Sequence, residues 1–338
     1  MAASAFVRNV WYMAAWEDEV PDDGMLSRRL LGDLWLIFRR ADGSYAMIAD
    51  RCPHRFVPLS RGKRVGDAVH CGYHGLGFDG AGACVHNPFS AEIPHGAAVR
   101  AMGAIEARHG ALWFWLGDVA LADPAAIPDF AFVHGPDHVR GALVMDANYE
   151  LIADNLMDLS HAEFLHVETF GVNGALIDYG RQQVVQDDTG AIWNNWDMDG
   201  SKPPAWAEPM LEPGARVDQW IHMRWHAPAS MALFIGLAKA GTDRSELVVP
   251  PIANPHILTP ESATSTHYFY TREPGEQAKD MVRRVFLEED EPMVRAAQDA
   301  MAGEDFWDLK PLILASDAGA IRARRRLMQM RRAEAEGA

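Results

Sequence analysis

Short apolar runs separated by turn residues fill the first third of the chain. Leu34–Phe38 and Tyr45–Ala49 flank Ala41-Asp42-Gly43-Ser44, which reads as two strands joined by a hairpin turn. Phe78–Gly82 is a second turn, and the unbroken apolar run Ala111–Leu116 predicts a strand buried on both faces. Many short strands with Gly-rich turns predict a small antiparallel sandwich or barrel over residues 1–120. Ala120–Pro128, with two prolines and little periodicity, is the expected boundary. Beyond it the pattern changes. Gly141–Tyr149 is strand-like, and a helix is predicted from Glu150 to about His166. Strands return between residues 180 and 272, including Val217–Trp225, Met231–Ile235 and Thr266–Tyr270. A long helix is predicted from Gly275 to Met301, and a basic one from about Asp317. The expected fold class is α+β, an all-β N-terminal domain over 1–120 followed by an antiparallel sheet with helices over 121–338.

Composition narrows the class. A chain of 338 residues has room for two cores, and 49% hydrophobic with 23% charged residues is ordinary for a globular protein. The sequence lacks an apolar run long enough for a membrane span, and Arg8 and Glu17 interrupt any signal-peptide pattern, so a cytoplasmic protein is expected. A net charge of −16 argues against nucleic acid as a partner. Three cysteines allow no disulfide framework, and Cys84 reads as a small core residue.

Two of those cysteines sit in chemistry. Arg51–Gly75 supplies Cys52, His54, Cys71 and His74 with the spacing C-x-H, sixteen residues, C-x-x-H. Two readings fit: a structural Cys₂His₂ zinc, or a Rieske [2Fe–2S] centre in which two imidazoles replace two thiolates on one iron. Zinc fingers usually pair Cys with Cys and His with His. Here each loop offers one of each, which suits a two-iron cluster fed by both loops. Gly72, Gly75 and Gly77 are expected to let the backbone close around the sulfides, and Pro53 to stiffen the first loop.

A second constellation is Asn155–His166. Asn155, Asp158 and His161 are three apart and would form one drifting stripe on a helix. His166 follows His161 by five, about 140° around a regular helix, so the helix must bend or end if both bind one ion. A polar helix face with incidental histidines fits the spacing as well. His222 and His226 would share a strand face, without a third ligand, and the C-terminal arginines from Arg322 to Arg332 read as a solvated or intersubunit face.

The CPHR and CGYHG phrases followed by Asp-x-x-His-x-x-x-x-His resemble the Rieske non-heme iron oxygenases, terminal oxygenase component. The flanking sequence is most similar to the vanillate and dicamba group of aromatic O-demethylases, over nearly the whole chain. The resemblance implies that His54 and His74 hold one cluster iron and Cys52 and Cys71 the other. It implies a catalytic domain of helix-grip type and a facial triad of His161, His166 and a distant carboxylate on iron. Asp290 is the candidate, with Glu289 and Glu288 as alternatives, and Pro292 marks a local disturbance of that helix. Asp158 would link His161 to His74 of a neighbouring subunit in a homotrimer, and Asn155 would lie near the iron. His256, Leu233 and Met281 fall at substrate-contacting positions of the family, where the replacements make the pocket more apolar. Electrons would come from NAD(P)H through a reductase or ferredoxin, with Arg55, Arg61, Lys63 and Arg64 as a docking patch or as plain solvated residues. The implied activity is oxidative O-demethylation of a methoxylated aromatic compound with O₂. Hydroxylation or N-demethylation is the alternative within the family, and a soluble Rieske electron carrier the alternative outside catalysis.

Overall fold

The computed structural model describes residues 6–337 other than 134, 136 and 137. It divides into two compact units: Met1–Asp129 with Thr259–Ala263, and Phe130–Leu258 with Thr264–Ala338.

The first unit is all β apart from short 3-10 turns. Its strands are β1 (Val10–Trp16), β2 (Leu26–Leu30), β3 (Asp33–Arg39), β4 (Tyr45–Ala49), β5 (Lys63–Val65), β6 (Ala68–His70), β7 (Gly77–Asp79), β8 (Cys84–His86), β9 (Ile105–Arg108) and β10 (Ala111–Leu116). They form three antiparallel sheets, ordered β1-β10-β9, β2-β3-β4 and β5-β6-β7-β8. The predicted hairpin is β3–β4, in which Leu36 opposes Ile48 and Phe38 opposes Ala46. Those four residues, with Leu59, Val69 and Phe78, form one buried cluster that also contains Cys52, Cys71 and Cys84. Each such Leu, Ile or Phe contributes roughly 1.5–3 kcal/mol by leaving water. The two candidate ligand thiols are therefore rooted in this buried cluster. Thr259–Ala263 completes it: Leu31 N donates to Pro260 O at 2.8 Å and Gly32 N to Glu261 O at 2.9 Å. Thr259 Oγ1 donates to Met13 O at 2.7 Å.

The second unit is built on a seven-stranded antiparallel sheet of β11 (Val139–Met145), β12 (Arg181–Gln186), β13 (Ile192–Ser201), β14 (Val217–His226), β15 (Ser230–Lys239), β16 (Ile252–Pro260) and β17 (Thr266–Arg272). The order is β11-β17-β16-β15-β14-β13-β12. Strict alternation along β14 buries Gln219, Ile221, Met223 and Trp225 and leaves Trp220, His222, Arg224 and His226 half-buried. His222 and His226 share that outer face, where His222 Nε2 meets Asp197 Oδ1 at 3.3 Å.

The helices depart from the sequence reading in three ways. The single helix expected over 150–166 is broken: α1 (Tyr149–Met157) stops at Asp158, a 3-10 turn covers Leu159–His161, and α2 (Ala162–Leu165) follows. The Asp158 carboxylate caps the new turn, accepting from Ser160 N at 3.1 Å and Ser160 Oγ at 2.6 Å. A short Asp side chain bonding to the backbone ahead of it competes with helix continuation, so the stripe of Asn155, Asp158 and His161 does not exist as predicted. A short helix α3 (Ala175–Tyr179) precedes β12. The helix expected over 275–301 is α4 (Glu276–Arg283), a π-helical segment (Arg284–Asp290) and α5 (Glu291–Met301), with Pro292 in the first turn of α5. Finally, α6 (Ala318–Gly337) is not simply a solvated basic face. Arg324 is buried, with Nε 2.6 Å from Asp154 Oδ2 and Nη1 3.4 Å from Glu150 Oε2. Arg331 reaches Tyr149 Oη at 2.9 Å and also pairs with Glu150. Both arginines are spent within the chain on α1. Among the described residues no helix is long and apolar enough to cross a membrane.

Candidate active site

The two ligand loops of the first unit are built on one turn design. Cys52 N donates to Val57 O at 2.9 Å and Phe56 N returns to Cys52 O at 3.0 Å; Cys71 N donates to Leu76 O at 2.8 Å and Gly75 N returns to Cys71 O at 2.9 Å. The fifth residue of each loop is left-handed, Phe56 at φ 61° and Gly75 at φ 74°. For Phe56 that costs about 1 kcal/mol or more and must be held by the surrounding loop. The buried Asp50 anchors the first loop, accepting from Ser60 N and Ser60 Oγ at 2.7 Å and from Ser27 Oγ at 2.6 Å. The Cys52 and Cys71 thiols adjoin one another, and burial raises the Cys52 pKa. The His54 and His74 rings lie 4.6 Å apart between centroids. The four side chains thus sort into a buried thiol pair and an outer imidazole pair, the pairing a Rieske cluster requires and a tetrahedral zinc does not. Gly72 and Gly77 lie against neighbouring chain. A Cβ on Gly72 would meet Arg61 O at 2.5 Å, and one on Gly77 would meet the His70 ring at 2.8 Å. Both admit the close approach of neighbouring chain. Cys84 is a core residue whose thiol faces His86 O.

In the second unit His161, His166 and Asp290 converge. The break after α1 closes the angular gap: His161 ends the 3-10 turn, and His166 leaves the helix at φ −103°, ψ 25°. Their Nε2 atoms are 3.1 Å apart, and Asp290 Oδ1 lies 3.6 Å from the first and 3.3 Å from the second. Both rings have their other nitrogen committed as a donor. His161 Nδ1 faces the Asp158 carbonyl, and His166 Nδ1 is 2.8 Å from Glu289 Oε2. In the neutral tautomers both Nε2 lone pairs therefore point at one spot beside a carboxylate oxygen. That arrangement repels itself unless a cation sits between, and the donor set fits iron. Burial lowers the His166 pKa, but the hydrogen bond and charge of Asp290, with Glu289, outweigh it and the net shift is upward.

Of the predicted alternatives, Asp290 is the carboxylate at the focus, 2% exposed. Glu289 stands behind His166 and is itself held by Thr169 Oγ1 at 2.7 Å and Arg284 Nε at 3.1 Å. Glu288 turns away to Arg283. Asn155 Nδ2 donates to Asp290 Oδ1 at 3.1 Å, so Asn155 reaches the focus through Asp290.

A cavity opens from the three side chains over the sheet. Leu233 lines it, opposite Met223 on β14 and Asn254 on β16. His256 also lines it, buried, with Nδ1 against Tyr268 Oη and no partner for Nε2. Met281 does not: it is exposed, and Val282, Val285 and Phe286, spaced i, i+3, i+4, turn into the cavity instead. Trp206, Asn254 and Thr271 also face it, and sequence reasoning missed their role; Trp206 lay among tryptophans assigned to the core.

Residues 10–97 match the Rieske [2Fe-2S] domain, and residues 145–333 match the vanillate O-demethylase oxygenase C-terminal domain. The chain is 37% identical to the oxygenase component of chloroacetanilide N-alkylformylase from Rhizorhabdus wittichii, over 97% of each chain. It is 36% identical to the oxygenase component of dicamba O-demethylase from Stenotrophomonas maltophilia, over 98% of this chain and 99% of that one. The crystal structure of dicamba monooxygenase bound to dicamba superposes with a TM-score of 0.85 at 35% identity, over 98% of this chain and 99% of that one. The chain belongs to the Rieske non-heme iron oxygenases, as the terminal oxygenase component of a multicomponent system. Its cofactors are accordingly a Rieske [2Fe–2S] cluster and a mononuclear non-heme iron, and its electrons come from a reductase or ferredoxin.

Proposed function

We propose that this oxygenase component removes a methyl group from a methoxylated aromatic compound, with His161, His166 and Asp290 holding the iron. The observation that carries the reading is the two opposed Nε2 lone pairs beside Asp290 at the mouth of an apolar cavity. Cys52, His54, Cys71 and His74 hold the cluster. When bound, cluster and iron supply single electrons and O₂ activation. The chain supplies the rest. Asp158 O and Glu289 fix the two imidazoles by their outer nitrogens, and Asn155 steadies Asp290. The wall of Leu233, Met223 and Phe286 excludes water and lays the arene flat enough for its methoxy carbon to face the ligand set. Net oxidation takes R–O–CH₃, O₂, two electrons and two protons to the phenol R–OH, formaldehyde and water.

Asp158 would also accept from His74 of a neighbouring subunit, giving electrons a short path between imidazoles in a homotrimer. The Asp158 carboxylate sits one turn ahead of His161 and pins that turn, which supports the placement. We assign the protein to the cytoplasm, in keeping with three cysteines of which two serve the cluster.

The 37% identity to the N-alkylformylase component favours a second reading, N-dealkylation in the same cavity. Purified protein with NADH and a surrogate reductase, offered methoxylated arenes and N-alkyl anilides, decides between them. Formaldehyde in step with a phenol supports demethylation. An N-dealkylated anilide with its matching aldehyde, and no phenol from the methoxylated arenes, supports the second reading; a hydroxylated product without any aldehyde removes both and keeps the ligand assignments.

A further inference from the structure

The sheet floor of the cavity has two ends. His256 marks one: its ring centroid lies 5.8 Å from that of Phe286, on the π segment that ends at Asp290. Gln219 marks the other. His256 opposes Met231 on β15, Met231 opposes Trp225 on β14, and Gln219 stands six residues before Trp225. At about 3.3 Å per residue and about 4.8 Å between strands, these positions are roughly 20 Å apart along the strands and roughly 10 Å across them. Both residues line the same cavity.

Gln219 is 3% exposed, and its amide is locked. Nε2 donates to Ser201 Oγ at 2.8 Å and to Lys202 O at 2.9 Å. Lys202 O is a carbonyl and only accepts. The Ser201 hydroxyl directs its own hydrogen at a carbonyl, Met198 O at 3.2 Å or Val217 O at 3.4 Å. Flipping the amide would set oxygen against oxygen, so Oε1 is a fixed acceptor on the opposite edge. Among the described residues no donor meets it. A register shift between Met198 and Ser201, with Gly200 at φ 64°, ends the regular pairing of β13 and turns the chain into the segment that carries Pro204 and Trp206. Trp206 lines the cavity and packs on Ala207, Val217 and Leu237. An indole and a lone buried acceptor in one wall suit a second aromatic ring that carries a donor.

We propose that this far end is a second binding point and that the substrate is an extended two-ring aromatic, with its methoxylated ring toward Asp290 and a phenolic hydroxyl on the far ring donating to Gln219 Oε1 beside Trp206. The inference rests on the oxygenase reading of the same cavity and specifies the substrate class. A one-ring substrate bound near Asp290 leaves Oε1 unpaired in an apolar wall, and the far hydroxyl removes that penalty. An ether oxygen in its place does not, because it brings lone pairs to a lone pair.

The test uses the holoprotein without O₂ or reductant, so binding is read apart from turnover. Equilibrium dialysis compares 4-methoxystilbene with its 4′-hydroxy and 4′-methoxy derivatives, the matched 4-methoxybiphenyls, and the one-ring pair anisole and 4-methoxyphenol. In the two-ring scaffold of better reach the 4′-hydroxyl should tighten binding about tenfold, the gain of one buried hydrogen bond. The 4′-methoxy group should give no gain, and in the one-ring pair the hydroxyl should change affinity by less than about threefold. Gln219→Leu should abolish the hydroxyl gain and leave the affinity of the parent two-ring ether within about threefold. Trp206→Ala, in a turn outside the sheet, should weaken both parent two-ring ethers about tenfold and anisole less than about twofold. A hydroxyl gain below about threefold in both scaffolds overturns the proposal, as does a full gain in the one-ring pair, from a 4′-methoxy group or in Gln219→Leu. The ligand series needs no variant, so the proposal stays refutable even where Gln219→Leu disturbs folding. Product analysis is scored separately. Two-ring ligands that bind in this pattern but are hydroxylated would retire the demethylation reading and leave the far binding point intact; demethylation of one-ring arenes with no hydroxyl gain in the two-ring series would do the reverse.

Discussion

Glu289 offers the sharpest perturbation of the iron site, because it touches a ligand without belonging to the focus. Its Oε2 takes the His166 Nδ1 proton at 2.8 Å and the Thr169 hydroxyl at 2.7 Å, while Oε1 takes Arg284 Nε at 3.1 Å. Glu289→Gln keeps the shape and removes the charge. A Gln amide has one oxygen and one NH₂. If the oxygen faces His166 and Thr169, the NH₂ confronts the Arg284 donor; if it is flipped, His166 loses its acceptor. In the first orientation a charge-assisted hydrogen bond of about 1.5–3 kcal/mol becomes a neutral one of about 1 kcal/mol, and in the second it is lost. The difference corresponds to roughly a tenfold loss of metal affinity, and Glu289→Ala should approach 100-fold, the usual range for partners of metal-ligating histidines. The assay is anaerobic titration of the metal-stripped mononuclear site with Co(II) or Fe(II), with the visible spectrum of the Rieske cluster as an internal control. Affinity within twofold of the parent in both variants would refute the orienting role. A loss that tracks disappearance of the cluster spectrum would show general damage instead.

Other expectations follow from the same geometry. His161→Ala should lose the mononuclear iron and all oxygenation while the cluster spectrum persists, as metal analysis and absorbance will show; loss of the cluster spectrum would mean His161 is misassigned. Arg324→Met leaves the half-buried Asp154 without its cation and Glu150 with Arg331 alone, which should cost about 3 kcal/mol and lower the melting temperature of the second unit by about 10 °C. The defect should grow with pH. Burial, only partly offset by Arg324, already raises Asp154 to about 6, so the folded parent holds this proton more tightly than the unfolded chain. That contribution fades as pH rises through 6 and then stays level, whereas in the variant Asp154 titrates later and stability keeps falling toward pH 8. Equal melting shifts at pH 5.5 and 8 would contradict the assignment. Charge reversal at the exposed Arg61 and Lys63 should slow reduction of the cluster at low salt, by stopped-flow, if these residues steer an acidic donor; Arg64 is committed to Asp22 O and Gly66 O.

What could be read in advance divides along the length scale of the signal. The proposed cluster ligands Cys52, His54, Cys71 and His74 could be picked out because they sit in two local loops whose spacing carries the chemistry, and the structure brings the two loops together. His161 and His166 were legible as a pair, and their spacing correctly demanded a broken helix, but the break itself came from the Asp158 cap, which propensity does not foretell. Among the candidates Glu288, Glu289 and Asp290, which one faces His161 and His166 depends on the phase of the π segment, set by the whole run from Arg284 to Asp290. Met281 was misplaced by one position for a related reason: Val282 begins the inward stripe that continues through Val285 and Phe286. Arg324 and Asp154 are far apart in sequence, and nothing local to a basic C-terminal run discloses that one of its arginines is buried.

Thr259–Ala263, counted with the first unit, bears on how such proteins can be recombined. A gene fragment ending at Asp129 encodes every proposed cluster ligand, yet it omits the acceptors of Leu31 N and Gly32 N and the hydroxyl that meets Met13 O. A chimera joined at that point would import the corresponding segment from its new catalytic half, with whatever side chains that half happens to carry. Compatibility between donors then turns on a short hairpin tip more than on the linker. Grafting Thr259–Ala263 together with the leading segment is the more conservative exchange.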